Sequence, residues 1–399
     1  MEHHNTEHPH LHIVIRGIRS DGGPLRLSRD ATDGLGRTYE PHKIRICALT
    51  PRRHVIIFRQ LRSFLNEASI QTYMTTGMTG SRGFIGSYLS TFLLRRQCGT
   101  LRLLSRNSAG PLGPPGVMVV HGDLLSRSDC ERFAQDLKLI YYLAHKNSPV
   151  DSDSDLPGDA LANMVALLNL LQVIRYLGTK PHIVYFSSGG AIYAPKGDRI
   201  PFRETDPCGS LSSYGIQKLA AEQYLRLAAH KGYLTATVLR VGNAYGTLLS
   251  QFRMQGLIGV AVNCVMLGKS VRIFGNPNNV RDYVHLEDIS EIAVRAALPR
   301  QPFTIVNVGN GVGHSVLDVL HLMEEELGRP IEIHSDPTCG NWLTDWVVLD
   351  NAKAREEFGW SPAIDLRSGI RRMLDGWQIE SQFDEPTLRK RAIAAHAAK

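Results

Sequence analysis

With 399 residues, 43% of them hydrophobic, the chain is long enough to bury the core of one large domain or two ordinary ones. Its formal net charge is +7, and residues 1–72 carry 11 Lys and Arg against 7 Asp and Glu, which leaves an excess of only +3 for the remainder. So weak an excess suits small anionic ligands and gives no argument for a nucleic-acid partner.

The cysteines and the apolar runs indicate an intracellular protein. The cysteines form no CxxC pair, so we predict reduced thiols and neither disulfides nor a metal site; they are Cys47, Cys98, Cys130, Cys208, Cys264 and Cys339. No apolar run is expected to span a membrane, because "GLIGVAVNCVMLG" is too short, and no signal-peptide core follows the N-terminus. We therefore expect a cytoplasmic protein without membrane insertion.

Residues 1–72 differ in composition from the rest of the chain. They hold seven of the sixteen histidines and turn-forming clusters such as "RSDGGP", and their strand-like stretches form no repeating unit. We predict a disordered or loosely attached N-terminal extension, with Met74 as a candidate start of the domain itself.

From residue 73 onward, short apolar runs alternate with helical patterns. The predicted strands are "LRLLSRN", "GVMVVHGDL", "KLIYYLAH", "HIVYFSS" and "TATVLRVGN". This alternation predicts an α/β fold with a Rossmann-like doubly wound parallel sheet over residues 73–245. After Gly246 the helices and loops become longer, so residues 246–380 are predicted to form mainly a smaller substrate-binding domain, with some return to the sheet. A C-terminal tail covers residues 381–399.

A glycine-rich turn precedes the first long helical pattern. In "MTGSRGFIGSYLSTFLL", Gly80, Gly83 and Gly86 are spaced three residues apart just before a helix. Such glycines allow a tight turn and close approach of a pyrophosphate, and the helix N-terminus offers free N–H groups to phosphates. Gly77 offers a second register one triplet earlier, and the preceding strand, "TYMTTGM", is poor in aliphatic residues for a central strand.

A tyrosine and a lysine four residues apart begin an amphipathic pattern in "SSYGIQKLAAEQYL". On a helix, Tyr214 and Lys218 would share one face. The same spacing occurs at Tyr39/Lys43, Tyr142/Lys146 and Tyr176/Lys180. Pro41 lies inside the first pair and Gly178 inside the third, and both residues argue against a continuous helix there. The second pair begins in a strand pattern. Taken alone, the remaining pair indicates only a surface tyrosine that lies above a solvated lysine. The neighbouring motifs have to decide whether the pair is functional.

Further motifs follow in one order along the chain: "TGSRGFIGS", "GDL", "YLA", "FSSGGAIY", "SSYGIQKLAAEQYL", "LRVGNAYG", "FGNPNNVRDYVHLEDI", "NVGNG" and "LDNAKAREEFGWSP". In order and spacing they resemble the extended short-chain dehydrogenase/reductase family, in particular its NAD-dependent epimerase/dehydratase branch, which is typified by UDP-glucose 4-epimerase. The resemblance covers residues 73–375 and implies a nucleotide-sugar enzyme with a nicotinamide dinucleotide.

The resemblance also implies where the dinucleotide binds. Beyond the glycines, its contacts would come from Phe84, Ile85, Asp123, Leu124, Leu143 and Ala144, with Asp123 and Leu124 at the adenine. The second strand ends in Ser105 and Arg106, where NAD-binding relatives usually carry an acidic residue for the ribose 2′-hydroxyl. An arginine there suits a 2′-phosphate and favours NADP over NAD; the alternative is a solvated arginine on a loop.

For the reaction, the resemblance makes Tyr214 the base, Lys218 its partner and a binder of the nicotinamide ribose, and a hydroxyl the third member. The usual place of that hydroxyl, counted along the motif, is Gly189, so we predict that Ser188 supplies it and that Ser187 bonds backbone. The pKa of tyrosine is ~10, and the charges of Lys218 and of an oxidised nicotinamide would lower it. Tyr214 and Ser188 would also contact the substrate.

Two further expectations concern the substrate. The resemblance points to Asn243 and Arg281 at the diphosphate of a nucleotide sugar, whereas Arg281 could instead pair with Asp282 or Asp288. Asn163 would orient the site through backbone contacts. A further arginine of the family is absent near "LTDWVV", which leaves the identity of the sugar and of the nucleotide open.

These residues predict C4 epimerisation of a UDP-hexose by transient hydride transfer to bound NAD or NADP. Sugar-nucleotide 4,6-dehydratases of the family need a Thr-Asp-Glu run where this chain has Gly189, Gly190 and Ala191, so dehydration lacks its acid and base. One alternative is an NADPH-dependent reductase of a nucleotide-linked 4-keto sugar; another, of a different class, is a non-catalytic dinucleotide-sensing protein. The resemblance also implies a homodimer.

Overall fold

The computed structural model describes residues 75–106, 115–147, 152–247, 256–336 and 344–383. The predicted N-terminal extension and most of the predicted tail lie outside these residues, as do Tyr39 and Lys43, so the predicted domain bounds stay predictions.

The first half of the described chain builds strands and helices alternately. Its elements are β1 (Thr76–Thr79), α1 (Phe84–Arg95), β2 (Leu101–Ser105), β3 (Val117–His121), α2 (Arg127–Ala134), β4 (Leu139–Tyr142), α3 (Leu156–Ala160), a π-helical turn (Leu161–Val165), α4 (Ala166–Leu177), β5 (His182–Ser188), α5 (Ser213–His230), β6 (Thr235–Val241) and β7 (Asn243–Tyr245). All five strands predicted after the glycine-rich turn are therefore present.

The second half continues with longer loops and a second set of strands. Its elements are α6 (Leu257–Met266), β8 (Val271–Phe274), β9 (Val280–His285), α7 (Leu286–Arg295), β10 (Phe303–Val308), β11 (Gly313–Ser315), α8 (Val316–Leu327), β12 (Ile333–Asp336), β13 (Trp346–Val347), α9 (Ala352–Phe358) and α10 (Leu366–Phe383).

The central sheet has seven parallel strands in the order β10-β6-β5-β4-β1-β2-β3. The order reverses between β1 and β4, and in such sheets ligands bind at that point, beyond the carboxyl ends of the strands. Strand β10 returns to the sheet from the C-terminal half, as predicted. The doubly wound fold is therefore confirmed.

The first strand differs from its prediction. It starts at Thr76, later than the "TYMTTGM" reading, and all four of its residues are buried. A Cβ atom at Gly77 would lie 2.3 Å from Cδ1 of Leu137, so glycine is needed inside this strand for packing. Gly77 thus belongs to the strand, and the turn starts at Gly80. Phe133 and Leu137 press against the strand at Gly77, which leaves no space for a side chain at that position.

The expectation that no apolar run approaches a membrane span is wrong in one respect. The helical stretch Leu156–Leu177, 22 residues long, is long and apolar enough to cross a bilayer by length and composition alone. Its inner side chains, including Leu167, Leu170 and Ile174, are buried in the core on one face of the sheet. Core helices of α/β domains pass the same test of length and composition.

Candidate active site

The glycine-rich turn fits a pyrophosphate. Gly80 has a φ of +72°, and a Cβ atom there would lie 2.7 Å from the backbone nitrogen of Ala144. A Cβ atom at Gly86 would lie only 2.2 Å from the carbonyl oxygen of Gly80. Helix α1 follows at once, and its N-cap, Gly83, makes no side-chain capping bond, so N–H groups of the first turn stay available.

The remaining predicted cofactor residues line the same edge of the sheet. Phe84, Ile85, Leu143 and Ala144 are half-buried, and Leu143 donates its backbone N–H to the carbonyl of Thr79 at 3.2 Å. These residues therefore border the turn itself.

The predicted adenine end lies beyond strands β2 and β3. Asp123 is half-exposed after β3, and its Oδ1 accepts a hydrogen bond from the N–H of Leu125 at 2.9 Å. The side chain of Leu124 is buried in the core. Arg106 is exposed directly after β2. The adenine contacts and the preference for NADP remain predictions.

Helix α5 carries the tyrosine and the lysine. Ser212 caps it by accepting from the N–H of Gly215 at 3.2 Å, so Tyr214 stands in its first turn. The hydroxyl of Ser188, at the end of β5, lies close enough to the phenol to lower its pKa. Nζ of Lys218 lies 5.6 Å from the centre of the Tyr214 ring. Three predicted catalytic residues therefore meet at the carboxyl edge of the sheet.

The other tyrosine–lysine pairs are arranged differently. Tyr142 is buried in strand β4, and Tyr176 is 70% exposed at the end of α4, where Gly178 ends the helix with a φ of 65°. The predicted helix stop is confirmed. Sequence spacing alone therefore does not bring such a pair into a cleft.

Burial governs the charge states in the cluster. It lowers the pKa of Lys218 to about 7, and the nearby carboxylate of Glu222 opposes this shift. The ammonium donates to the carbonyl of Phe186 at 2.8 Å. Burial raises the pKa of Tyr214 to about 12, while the neighbouring hydroxyl of Ser188 acts in the opposite direction. Desolvation sets the direction of the shift for Tyr214, and the expectation that Lys218 and an oxidised nicotinamide together lower its pKa stays a prediction.

The position of the hydroxyl has a steric reason. A Cβ atom at Gly189 would lie 2.5 Å from Cδ1 of Leu349, so a serine at that site would have to displace the Leu349 side chain. Ser187 donates to the carboxylate of Glu222 at 2.6 Å in the interior, and the prediction that it bonds backbone is wrong. Ser188 is left as the hydroxyl next to the tyrosine.

The two predicted diphosphate residues lie on neighbouring strands. Asn243 on β7 is in register with Tyr283 on β9, and Arg281 lies two residues before Tyr283. Asn243 and Tyr283 line a cavity of about 140 Å³. Arg281 is half-buried, its Nη1 donates to the carbonyl of Val280 at 2.8 Å, and burial lowers its pKa.

The alternative ion pairs of Arg281 do not form. Asp282 accepts hydrogen bonds from backbone N–H groups that include Asn310 at 2.6 Å, and Asp288 accepts from Ala363 at 2.9 Å. Within the described ranges, Arg281 pairs with neither carboxylate.

Comparison with known proteins decides the family. A model of the NAD dependent epimerase/dehydratase family matches residues 77–309. The chain belongs to this family. A UDP-glucose 4-epimerase of Mycolicibacterium smegmatis is 30% identical over 318 residues, which cover 77% of this chain and 100% of the relative. A dTDP-4-dehydro-6-deoxyglucose reductase of Escherichia coli is 26% identical over 306 residues. The aligned region covers 74% of this chain and 95% of the relative.

A solved structure of the family superimposes on most of the chain. The UDP-glucose 4-epimerase of Thermus thermophilus, in complex with NAD, matches with a TM-score of 0.68 at 29% identity, over 76% of this chain and 99% of that one.

One buried polar network was not foreseen from the sequence. Nη2 of Arg240 lies 2.7 Å from Oε2 of Glu222, with 3% and 0% of the two side chains exposed. Nη1 of Arg240 also donates to the hydroxyl of Tyr193 at 3.0 Å, and Tyr193 donates to Asn307 at 2.6 Å. An arginine inside the apolar run "TATVLRV" was the signal that could have found it.

A second network fixes the start of α5. Asn163 accepts from the backbone N–H of Lys146 at 2.8 Å, as predicted, and its amide also donates to Asp159 and Gln217. Asn163 stands in the π-helical turn, a feature frequent at functional sites.

The sequence analysis also missed His145. Its ring lies edge-on to that of Tyr214, with the centres 4.8 Å apart. No motif singled it out, because its neighbour across the cleft is remote in the chain.

Proposed function

We propose that this family member is a nucleotide-sugar epimerase that inverts C4 of a UDP-hexose with NAD. The observation that carries the proposal is the meeting of Tyr214 and Ser188 at the carboxyl edge of the sheet, with Lys218 one turn further on. The glycine-rich turn beside it suits a dinucleotide, because side chains at Gly80 and Gly86 would collide with backbone. The epimerase names of the Mycolicibacterium and Thermus relatives support the same reaction.

In this proposal each residue of the cluster has one task. Tyr214 removes the proton from the sugar 4-hydroxyl and returns it, and Ser188 holds the same hydroxyl in line. Lys218 contributes its ammonium group, which the Phe186 carbonyl holds one turn from the phenol. When bound, an oxidised nicotinamide supplies the hydride acceptor and a positive charge that favours the phenolate.

Asn243 and Arg281 serve the diphosphate. A guanidinium suits a diphosphate because it offers paired, charge-assisted hydrogen bonds in one plane. Arg281 is half-buried without an ion pair to Asp282 or Asp288, so its charge is open to a bound anion. The proposed binding surface therefore runs from β5 through β7 to β9.

The direct test is to incubate the purified full-length chain with UDP-galactose and follow UDP-glucose by proton NMR. In parallel, the protein is denatured and any released nucleotide is identified. We expect interconversion of the two sugars and release of NAD. Absence of interconversion, together with stoichiometric oxidation of added NADPH by a 4-keto sugar nucleotide, would contradict the proposal.

The second candidate is an NADPH-dependent reductase of a nucleotide-linked 4-keto sugar. The reductase of Escherichia coli among the relatives favours it, as does exposed Arg106 after β2. If a 2′-phosphate binds there, Arg106→Ala should weaken NADP and leave NAD nearly unchanged in a binding titration. A dinucleotide-sensing protein, the third reading, would show neither epimerisation nor reduction.

We propose that a second copy of the chain is the macromolecular partner. Apolar side chains stand exposed along two neighbouring helical stretches: Leu161 (50%) and Val165 (38%) on one, and Ile216 (57%), Tyr224 (42%) and Leu227 (51%) on α5. Among the residues that the structure describes, none covers the apolar face that this spacing creates on each helix. Ile216→Asp should convert a dimer to a monomer in size-exclusion chromatography with light scattering; a monomeric parent would contradict the proposal.

A cytoplasmic location is part of the same proposal. Cys130, Cys208 and Cys264 are free thiols, which suits a reducing compartment.

A further inference from the structure

His145 occupies a special place at the edge of the sheet. It follows Leu143 and Ala144, the segment against which Gly80 packs with no room for a side chain. Strands β4 and β5 pair in parallel, with Tyr142 opposite Tyr185. His145 and Ser188 each lie three residues after these tyrosines, so the histidine is level with the serine. The histidine thus stands between the glycine-rich turn and the catalytic hydroxyl.

The contacts of the imidazole leave one nitrogen unused. The ring packs edge-on against Tyr214 at 4.8 Å between centres, with an angle of 82° between the planes. Nε2 is buried and has no hydrogen-bond partner in the described part of the chain. A buried polar atom of a folded protein normally has a partner, so an unpaired nitrogen beside a cleft indicates a ligand atom.

The imidazole is uncharged over the whole physiological range. Burial, and secondarily the charge of Lys218, lowers the pKa of His145 to about 2. A neutral imidazole has one donor and one acceptor nitrogen. A sugar hydroxyl can accept a hydrogen bond from the donor nitrogen or donate one to the acceptor nitrogen. Two hydroxyl-bearing molecules meet at the proposed site: the dinucleotide and the nucleotide sugar.

The strand order separates these two sources of a hydroxyl. The central strands run β6-β5-β4-β1, so His145 after β4 lies on the side of the glycine-rich turn. Asn243 follows β6 on the other side of Ser188, and a Cβ atom at Gly190 would lie 3.3 Å from its Oδ1. The sugar side of the cleft is therefore the side away from His145.

This inference rests on the proposed use of a dinucleotide. We propose that Nε2 of His145 hydrogen-bonds a hydroxyl of the ribose next to the nicotinamide, while the ring edge holds Tyr214 in place. His145 and Lys218 then bind the same ribose from two sides. The histidine is a binding residue for the dinucleotide and a positioning residue for the base.

The test measures NAD binding to the full chain by calorimetry, without any nucleotide sugar. His145→Phe keeps a flat ring against Tyr214 but has no nitrogen, and we expect it to weaken NAD by about threefold to tenfold, the worth of one hydrogen bond. His145→Gln supplies donor and acceptor atoms without the ring and should recover part of the affinity. Tyr142→Phe is the matched control, because it removes another buried, unpartnered polar atom; its NAD affinity should equal that of the parent.

Each outcome decides. Equal NAD affinity in the parent and in His145→Phe would overturn the proposal, and a raised KM for UDP-hexose at unchanged NAD affinity would assign the hydroxyl to the hexose instead. If the Phe variant does not fold, judged by urea unfolding, His145→Ala takes its place with the same expected loss. A parent that binds NAD but does not epimerise would sink the proposed reaction and leave this test intact.

Discussion

Arg240 and Glu222 form an ion pair of 2.7 Å that is sealed in the interior, with 3% and 0% of their side chains exposed. Arg240 lies on β6 and Glu222 on α5, four residues after Lys218, so the pair joins these two elements. Glu222 also accepts a hydrogen bond of 2.6 Å from Ser187 on β5. It therefore ties β6 to α5 and β5, the two elements that carry the catalytic cluster.

Removal of one partner should destabilise the protein strongly. Glu222→Leu leaves the guanidinium buried and unpaired, and we expect the free energy of unfolding to fall by about 3–5 kcal/mol in a urea titration. The double variant with Arg240→Met should lose less than the sum of the two single changes. As a control, Glu131→Gln breaks the exposed pair Arg127–Glu131 and should leave the midpoint nearly unchanged. Equal effects at the two sites would refute the role given to the buried pair.

Lys218 makes stability depend on pH in a defined direction. Its pKa is about 7 in the folded chain because of burial, and ~10.4 in the unfolded chain. Between these values the unfolded chain binds a proton that the folded chain does not, so the free energy of unfolding rises with pH above about 7. The raised pKa values of the buried cysteines oppose this at higher pH.

The window for this measurement is therefore about pH 7 to 8.5, below the cysteine titrations. Lys218→Met should show a smaller rise in stability than the parent over that range. A slope that does not change with the substitution would show that the ammonium is not desolvated.

Gly86 tests the turn itself. Alanine there would put Cβ 2.2 Å from the carbonyl oxygen of Gly80, so the turn has to move, and we expect calorimetric NAD binding to be abolished. Gly376 is the control, since nothing lies within 4 Å of its Cβ position in α10. Gly376→Ala should bind NAD normally and gain about 0.5–1 kcal/mol of stability. Normal NAD binding by Gly86→Ala would refute the assignment of the turn.

The hydroxyl of Ser188 can be tested against its two neighbours. Ser188→Ala should slow epimerisation by about a hundredfold. Adding Gly189→Ser should not restore the rate, because its side chain would have to displace Leu349. Ser187→Ala should act mainly on stability, since its partner is Glu222. Rescue by serine at 189 would show that the hydroxyl position was assigned wrongly.

Local patterns were enough to predict much of the fold. Each strand after the glycine-rich turn is a short apolar run bounded by polar residues, and Gly178 ends its helix as a left-handed residue. Gly86 meets a local steric requirement, because its Cβ would strike the carbonyl oxygen of Gly80, so the glycine spacing too can be read without the structure. The first strand escaped this reading because its packing against Leu137 depends on a remote residue.

The interior of the site could not be predicted in the same way. Glu222 in "KLAAEQYL" has the pattern of a surface charge on a helix, and only its distance to Arg240 on β6 shows that it is buried. His145 gains its importance from Tyr214, 69 positions later. The pKa of Tyr214 depends on desolvation by surrounding elements, which spacing along the chain does not reveal.

The central claim is that Tyr214 is the base, and one rate measures it most directly. The interconversion of UDP-galactose and UDP-glucose is followed by proton NMR for Tyr214→Phe and the parent, with bound NAD quantified in both. Tyr142→Phe and Tyr176→Phe are the controls, because each has a lysine four residues on but lies in a strand or at an exposed helix end. The account predicts a rate ~10²–10⁴-fold below the parent for Tyr214→Phe, with NAD retained, and near-parental rates for the controls. A Tyr214→Phe protein that interconverts the sugars as fast as the parent would contradict it.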